Sequence, residues 1–171
     1  MGIFADARQK AMNSTVRDPY FAPDAEFLVK VEEVSKFTSK LNARKGPYIK
    51  IRGVVVDSNA QSTDDGSTIA HRAGQRGVQL IDLSNGDAAM NDVSRFAVAV
   101  YKQMDPNGQF DVSELSDEEF EAAIEALFTE DQPAKGLTLG LRTQVKITKN
   151  KGAPFTQHFW EPSTGFAVVK N

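Results

Sequence analysis

Two basic turns, each beside large flat rings, are the parts of this sequence best suited to chemistry. In "KITKNKGAPFTQHFW", residues 146–160, an alternating run with Lys146 leads through Lys149 and Lys151 into Phe155, Phe159 and Trp160. In "SKLNARKGPYIKIR", residues 39–52, Lys40, Arg44 and Lys45 precede Tyr48, Lys50 and Arg52 at alternate positions. A hydrophobic core needs rings but no cations. A groove for single-stranded nucleic acid needs both: cations hold phosphates, and each ring stacks a base for about 1 to 3 kcal/mol with little sequence preference. The ordinary alternative is that lysines keep strand edges soluble and the rings fill the interior.

Register separates these readings for the second hairpin. A two-residue turn at Lys151 and Gly152 sets Thr148 opposite Phe155, Lys146 opposite Gln157 and Gln144 opposite Phe159. Opposed residues share a face, so Phe155 and Phe159 would stand beside Arg142, Lys146 and Lys149, with His158 and Trp160 joining Val145 inside. A one-residue slip reverses the faces, burying Phe159 and exposing Trp160. Either way at least one large ring lies on the cationic side.

Alternation predicts the strands that carry these turns. Residues 25–37 place Phe27, Val29 and Val31 on one side; "YIKIRGVVV", 48–56, turns Ile49, Ile51 and Val55 inward and Tyr48, Lys50 and Arg52 outward. Gly53 in mid-strand predicts a bulge or sharp bend. A third strand covers 77–83, a fourth 137–149 and a fifth 154–161. Between the third and fourth, Asn85 or Asp87 is placed to cap a helix whose apolar residues Val93, Phe96, Ala97, Val100, Tyr101 and Met104 recur at intervals of three and four. Ser116 and Glu119 form a capping box for another helix. The prolines of "RDPYFAPD" predict irregular chain, "DSNAQSTDDGST" a polar loop, and residues 1–24 a short helix or arm. The expected fold is α+β: a five-stranded OB-type barrel over 25–163, with helices inserted at about 86–131 between the third and fourth strands, and a tail at 164–171. OB barrels bind ligands on their second and third strands and on the first and last hairpin loops, which here are the basic ones.

The chain of 171 residues has a formal net charge of −3 that hides an asymmetry. Residues 103–134 hold ten acids and no Lys or Arg, so the remainder carries 13 acids against 20 bases. Segregated charge makes a local positive field compatible with an anionic partner despite the acidic total. There is no cysteine and there are only two histidines, His71 and His158, which excludes thiolate chemistry and fits a reducing compartment. No apolar run approaches a membrane span of roughly 18 residues, and no charged leader precedes an apolar segment; a cytoplasmic protein is expected.

The stretches "FLVKVEEVSKFTSKLNARKGPYIKIRGVVV" and "KGAPFTQHFWEPS", with helices between them, resemble the OB-fold single-stranded-DNA-binding proteins encoded by tailed bacteriophages, over roughly residues 25–163. The shared motifs are a basic Lys-Gly turn after the first strand and another before an aromatic strand. The resemblance implies a non-catalytic, cofactor-free coat for exposed single strands during replication or recombination in a host cytoplasm, with proteins of those processes as partners. It places the site at Tyr48, Lys50, Arg52 and the last-strand aromatics. The ending "TGFAVVKN" departs from the acidic, aromatic-ended recruitment tail of bacterial members.

Three other functions fit parts of the sequence. "QMDPNGQFDVSE", 103–114, aligns with a calcium loop through Asp105, Asn107, Gly108 and Glu114, but Gln103 in first position supplies no carboxylate and no second loop accompanies it. A magnesium nuclease would draw on Asp57, Asp64, Asp65, Asp82 and Asp87, yet Asp64-Asp65-Gly66 reads more economically as a turn. A protein-interaction or virion module would use the aromatic strand as a docking edge.

Overall fold

A computed structural model describes residues 18–37, 47–61, 68–105, 107–147 and 154–170. Seven strands, β1 (Tyr20–Phe21), β2 (Glu26–Phe37), β3 (Tyr48–Ser58), β4 (Ile69–Ala70), β5 (Arg76–Asp82), β6 (Thr138–Ile147) and β7 (Pro154–Pro162), form one sheet. Its order is β4-β1-β5-β3-β2-β6-β7. Among the described residues two α-helices, α1 (Asp87–Met104) and α2 (Asp117–Ala126), follow β5. The architecture is mixed α+β, and the sheet does not close. This corrects the expected five-stranded barrel, and the reason lies at β5: its free edge is taken by β1, with Tyr20 beside Val78, rather than by β7. Across the interior, Trp160 Nε1 of β7 donates to Gln79 Oε1 of β5 at 2.7 Å.

β1 also corrects the reading of "RDPYFAPD" as wholly irregular. Its two paired residues lie between Pro19 and Pro23, too few to show alternation. Phe21 is buried, its ring centroid 5.6 Å from Phe27 and 6.0 Å from Trp160. β4, equally short, was missed for the same reason.

Along β2, Phe27, Val29 and Val31 point inward, but the phase then changes. Val31 pairs with Gly53 and Glu33 with Arg52, leaving Glu32 as an extra residue. Such a bulge shifts every later side chain to the opposite face. Val34 is consequently buried, and Phe37 turns outward. Gly53 faces the bulge rather than containing it. A Cβ there would come 2.4 Å from Val29 Cγ1 and 2.7 Å from the Lys30 carbonyl oxygen, so only glycine permits this close strand approach.

Beyond the stretch of β2 paired with β6, the chain at 132–137 takes over. Val31 N donates to Leu137 O at 2.8 Å and Gly136 N to Val31 O at 2.8 Å. The Gln132 amide then behaves like a strand residue, accepting from Val34 N at 2.9 Å and donating to Val34 O at 3.0 Å.

α1 buries Ala89, Val93, Phe96, Ala97 and Val100, packing Phe96 edge-on against Trp160 at 5.3 Å. Neither Asn85 nor Asp87 caps it. Gly86, at φ 63°, occupies the cap without a side-chain bond, while Asp82 caps the preceding 3-10 turn through Ser84 N. α2 has the expected Ser116–Glu119 capping box. No helix among the described residues is long and apolar enough to cross a membrane.

Candidate nucleic-acid interface

The outer face of β3 carries Tyr48, Lys50 and Arg52, as alternation predicts. Tyr48 stacks on Phe37 across the β2–β3 pair, with ring centroids 5.5 Å apart and planes 22° from parallel. Phe37 remains 38% exposed. Lys50 follows on the same face between Ser35 and Leu80, and it makes no ion pair with a described residue. Two rings and a cation therefore stand together where β2 ends and β3 begins, and the intervening sequence, 38–46, holds Lys40, Arg44 and Lys45 and no acid.

Arg52 serves differently. Its guanidinium lies 3.1 Å from Glu33, 3.5 Å from Glu32 and 3.7 Å from Asp18. The Glu32 contact is one of charge without a hydrogen bond, since Nε has no hydrogen-bond partner. Arg76 shares Glu32 at 3.0 Å, and that carboxylate raises the Arg76 pKa above its usual value. Two cations facing three carboxylates produce no positive field, so Arg52 is removed from the expected phosphate ligands.

On the second hairpin, Lys146 pairs with Phe155, Gln144 with Gln157, Arg142 with Phe159 and Leu141 with Trp160. This is two residues from the register of a two-residue turn, because the last pair is Ile147 with Pro154 and a longer connection lies beyond it. A shift of two preserves the faces. Phe155 and Phe159 accordingly share the outer face with Arg142 and Lys146, while His158 and Trp160 lie inside. Phe155 is 44% exposed. Phe159 is half-buried, with the Arg95 guanidinium 4.5 Å over its ring. Trp160 is 3% exposed, enclosed by Phe21, Phe96 and Gln79, and has no free face for a base. Arg44, Lys45, Lys149 and Lys151 lie outside the described residues.

The two clusters do not share one end of the sheet. Phe37 and Tyr48 mark the last pair of β2 with β3, whereas β6 meets β2 only over Glu26–Lys30 and runs past Glu26 toward Lys146. The length of β2 separates them. Between them the outer face is crossed by the C-terminal segment. Phe166 packs on Gly140, where a Cβ would come 2.4 Å from its ring, and beneath the Arg142 guanidinium at 4.9 Å. Val169 N donates to Glu26 Oε1 at 3.2 Å, its carbonyl accepts from Asn59, and Lys170 pairs with Asp57. That lysine holds the Asp57 carboxyl below its ordinary pKa. Arg142 is itself held by Glu26 at 3.0 Å and Glu161 at 2.9 Å.

Of the candidate metal-ligand carboxylates, Asp105 and Asp82 have local structural roles, as does the neighbouring Asp111. Asp105 accepts from the backbone of Asn107 and Phe110, and Asp111 from Ser113 N and Oγ, which lowers its pKa. Asp82 caps its turn. Among the described residues no group of three or more His, Asp or Glu is arranged to hold a metal ion. Asp64 and Asp65 lie outside the described residues.

Sequence reasoning missed Phe37, because the phase of Phe27, Val29 and Val31 assigns position 37 to the interior. The signal was present in "VEEV": two polar residues between two valines interrupt the alternation. The sequence matches no protein-family model and no curated protein.

Proposed function

We propose that the chain binds single-stranded DNA with little sequence preference, in replication or recombination, and without catalysis. The observation that carries this reading is the stack of exposed Phe37 on half-buried Tyr48, with Lys50 beside it and Lys40, Arg44 and Lys45 in the sequence between the two rings. Rings of this kind offer bases a π-face, and Lys50 with the cations of the 38–46 sequence offers phosphates a counter-charge. Phe155 with Lys146, close in sequence to Lys149 and Lys151, repeats the same chemistry on β6 and β7.

The fold reading that accompanies this is an opened OB-type sheet. Its support is the order of the five long strands: the fourth, β6, returns after the helices to lie beside the first, β2, which is the Greek-key arrangement. The proposed phosphate ligands are Lys50, Lys146, Arg44, Lys45, Lys149 and Lys151. The proposed stacking residues are Phe37, Tyr48, Phe155 and Phe159.

Titrating an end-labelled, unstructured oligonucleotide by fluorescence anisotropy at two salt concentrations tests the reading. Binding is expected to weaken steeply with salt. Tyr48→Ala should cost about fivefold or more in affinity with the salt slope kept, whereas Lys50→Ala should flatten that slope. Absence of binding at low salt overturns the proposal.

A further inference from the structure

A groove of about 400 Å³ opens on the outer side of β6 and β7, walled by Asp24, Glu26, Asn59, Arg142, Gln144 and Phe159 among others. Its size lies in the range of small-ligand sites. Its floor is fixed. Asp24 adopts a left-handed backbone at φ 52° and accepts from Val145 N through Oδ1 at 3.1 Å. Arg95, tethered to Asp92 at 3.4 Å and to the His158 carbonyl at 3.3 Å, braces one side of Phe159, whose ring also lines the groove.

The charges in this groove exclude one class of occupant and favour another. Glu26 and Asp24 face a single guanidinium, Arg142, which Glu26 and Glu161 already neutralise, so a phosphate gains nothing by entering. The groups left over are the second oxygen of Asp24 and the amide of Gln144, neither of which bonds a described residue. A carboxylate oxygen accepts only from a donor, and the exocyclic amino groups of cytosine and adenine are such donors. Uracil and thymine present a carbonyl at the position of cytosine's amine, which a carboxylate repels.

Resting on the single-strand reading above, we propose that this groove is a nucleobase subsite in which Phe159 stacks a base and Asp24 with Gln144 selects bases bearing an exocyclic amino group. The flanking chain has the parts to continue the path. Lys146 lies two positions beyond Gln144 on the same face, placed for the adjoining phosphate. Phe155 lies four residues from Phe159 along β7, roughly 13 Å at strand spacing, and offers the next ring.

The test measures binding of the full chain to an end-labelled oligodeoxycytidine and an oligodeoxyuridine of equal length by fluorescence anisotropy at low salt. The cytidine oligomer is expected to bind about fivefold tighter, the low end of what an edge contact discriminates. Asp24→Asn keeps an acceptor for Val145 N and adds a donor, so it should bring the ratio to about one or below. Gln144→Ala alters an exposed side chain and should also lower the ratio, which secures the test should Asp24→Asn fail to fold. Equal binding of both oligomers, or a preference that both variants leave intact, overturns the subsite while the Tyr48–Lys50 reading stands. Binding of neither oligomer overturns both.

Discussion

His158 offers the sharpest check on the packing. Its ring lies on the inner face of β7, 8% exposed and edge-on to Phe21 at 6.3 Å, and its Nε2 has no hydrogen-bond partner. Burial drives its pKa down from 6.5 to about 4, outweighing the upward pull of a backbone hydrogen bond with Thr156. The folded value is therefore below the unfolded one. A neutral ring contributes its full stability above pH 6.5, and that contribution is lost as pH falls from 6.5 toward 4. The loss amounts to about 2 kcal/mol by pH 5 and about 3 kcal/mol by pH 4. Urea unfolding of the natural chain and of His158→Phe at pH 7.5 and pH 5.0 isolates this effect, since the carboxylates titrate in both proteins. Whatever the stability difference at pH 7.5, it should move by about 2 kcal/mol in favour of the variant at pH 5.0. Equal pH dependence of the two proteins, or an imidazole NMR titration of His158 with a midpoint near 6.5, would refute the reasoning.

Two further substitutions test the sheet. Gly53→Ala drives a methyl into Val29 and the Lys30 carbonyl; because the carbonyl cannot swing aside without breaking strand pairing, a loss of about 3 kcal/mol is expected in urea unfolding, and a loss under about 1 kcal/mol contradicts the close approach. Gln132→Ala removes both partners of the Val34 backbone, so stability should fall by about 2 kcal/mol and the Val34 amide should exchange faster with solvent. Unchanged protection of that amide would show that Gln132 is not its partner.

The long strands, the capping box and the outward set Tyr48, Lys50 and Arg52 were legible because each depends on local alternation or spacing. What escaped depended on contacts distant in sequence. Arg52 looks like any outward cation until Asp18 and the two acids of the bulge are folded around it. The hairpin faces followed from parity, but the choice between its registers, and with it the burial of Trp160, required knowing where the connection ends and that Phe21, Phe96 and Gln79 enclose the indole. Closure of the barrel was expected because neither β1 nor its hold on β5 is visible in two residues between prolines. The groove beside Phe159 joins the Asp24 turn to residues 118 to 135 positions later, a combination that no local pattern announces.

β2 is an interior strand of the sheet, between β3 and β6, yet its two edges are completed at very different times. β3 is its hairpin neighbour, whereas Arg142 of β6 meets Glu26 across 116 residues of chain. While the protein is being synthesised, a newly made β2–β3 hairpin must therefore wait with one apolar-rich edge unsatisfied, open to pairing with the wrong chain. Lys30, Glu32, Glu33 and Lys36, spaced through that strand, are the gatekeeping charges that would discourage such pairing. Neutralising them would then reduce soluble yield more than it weakened the finished fold.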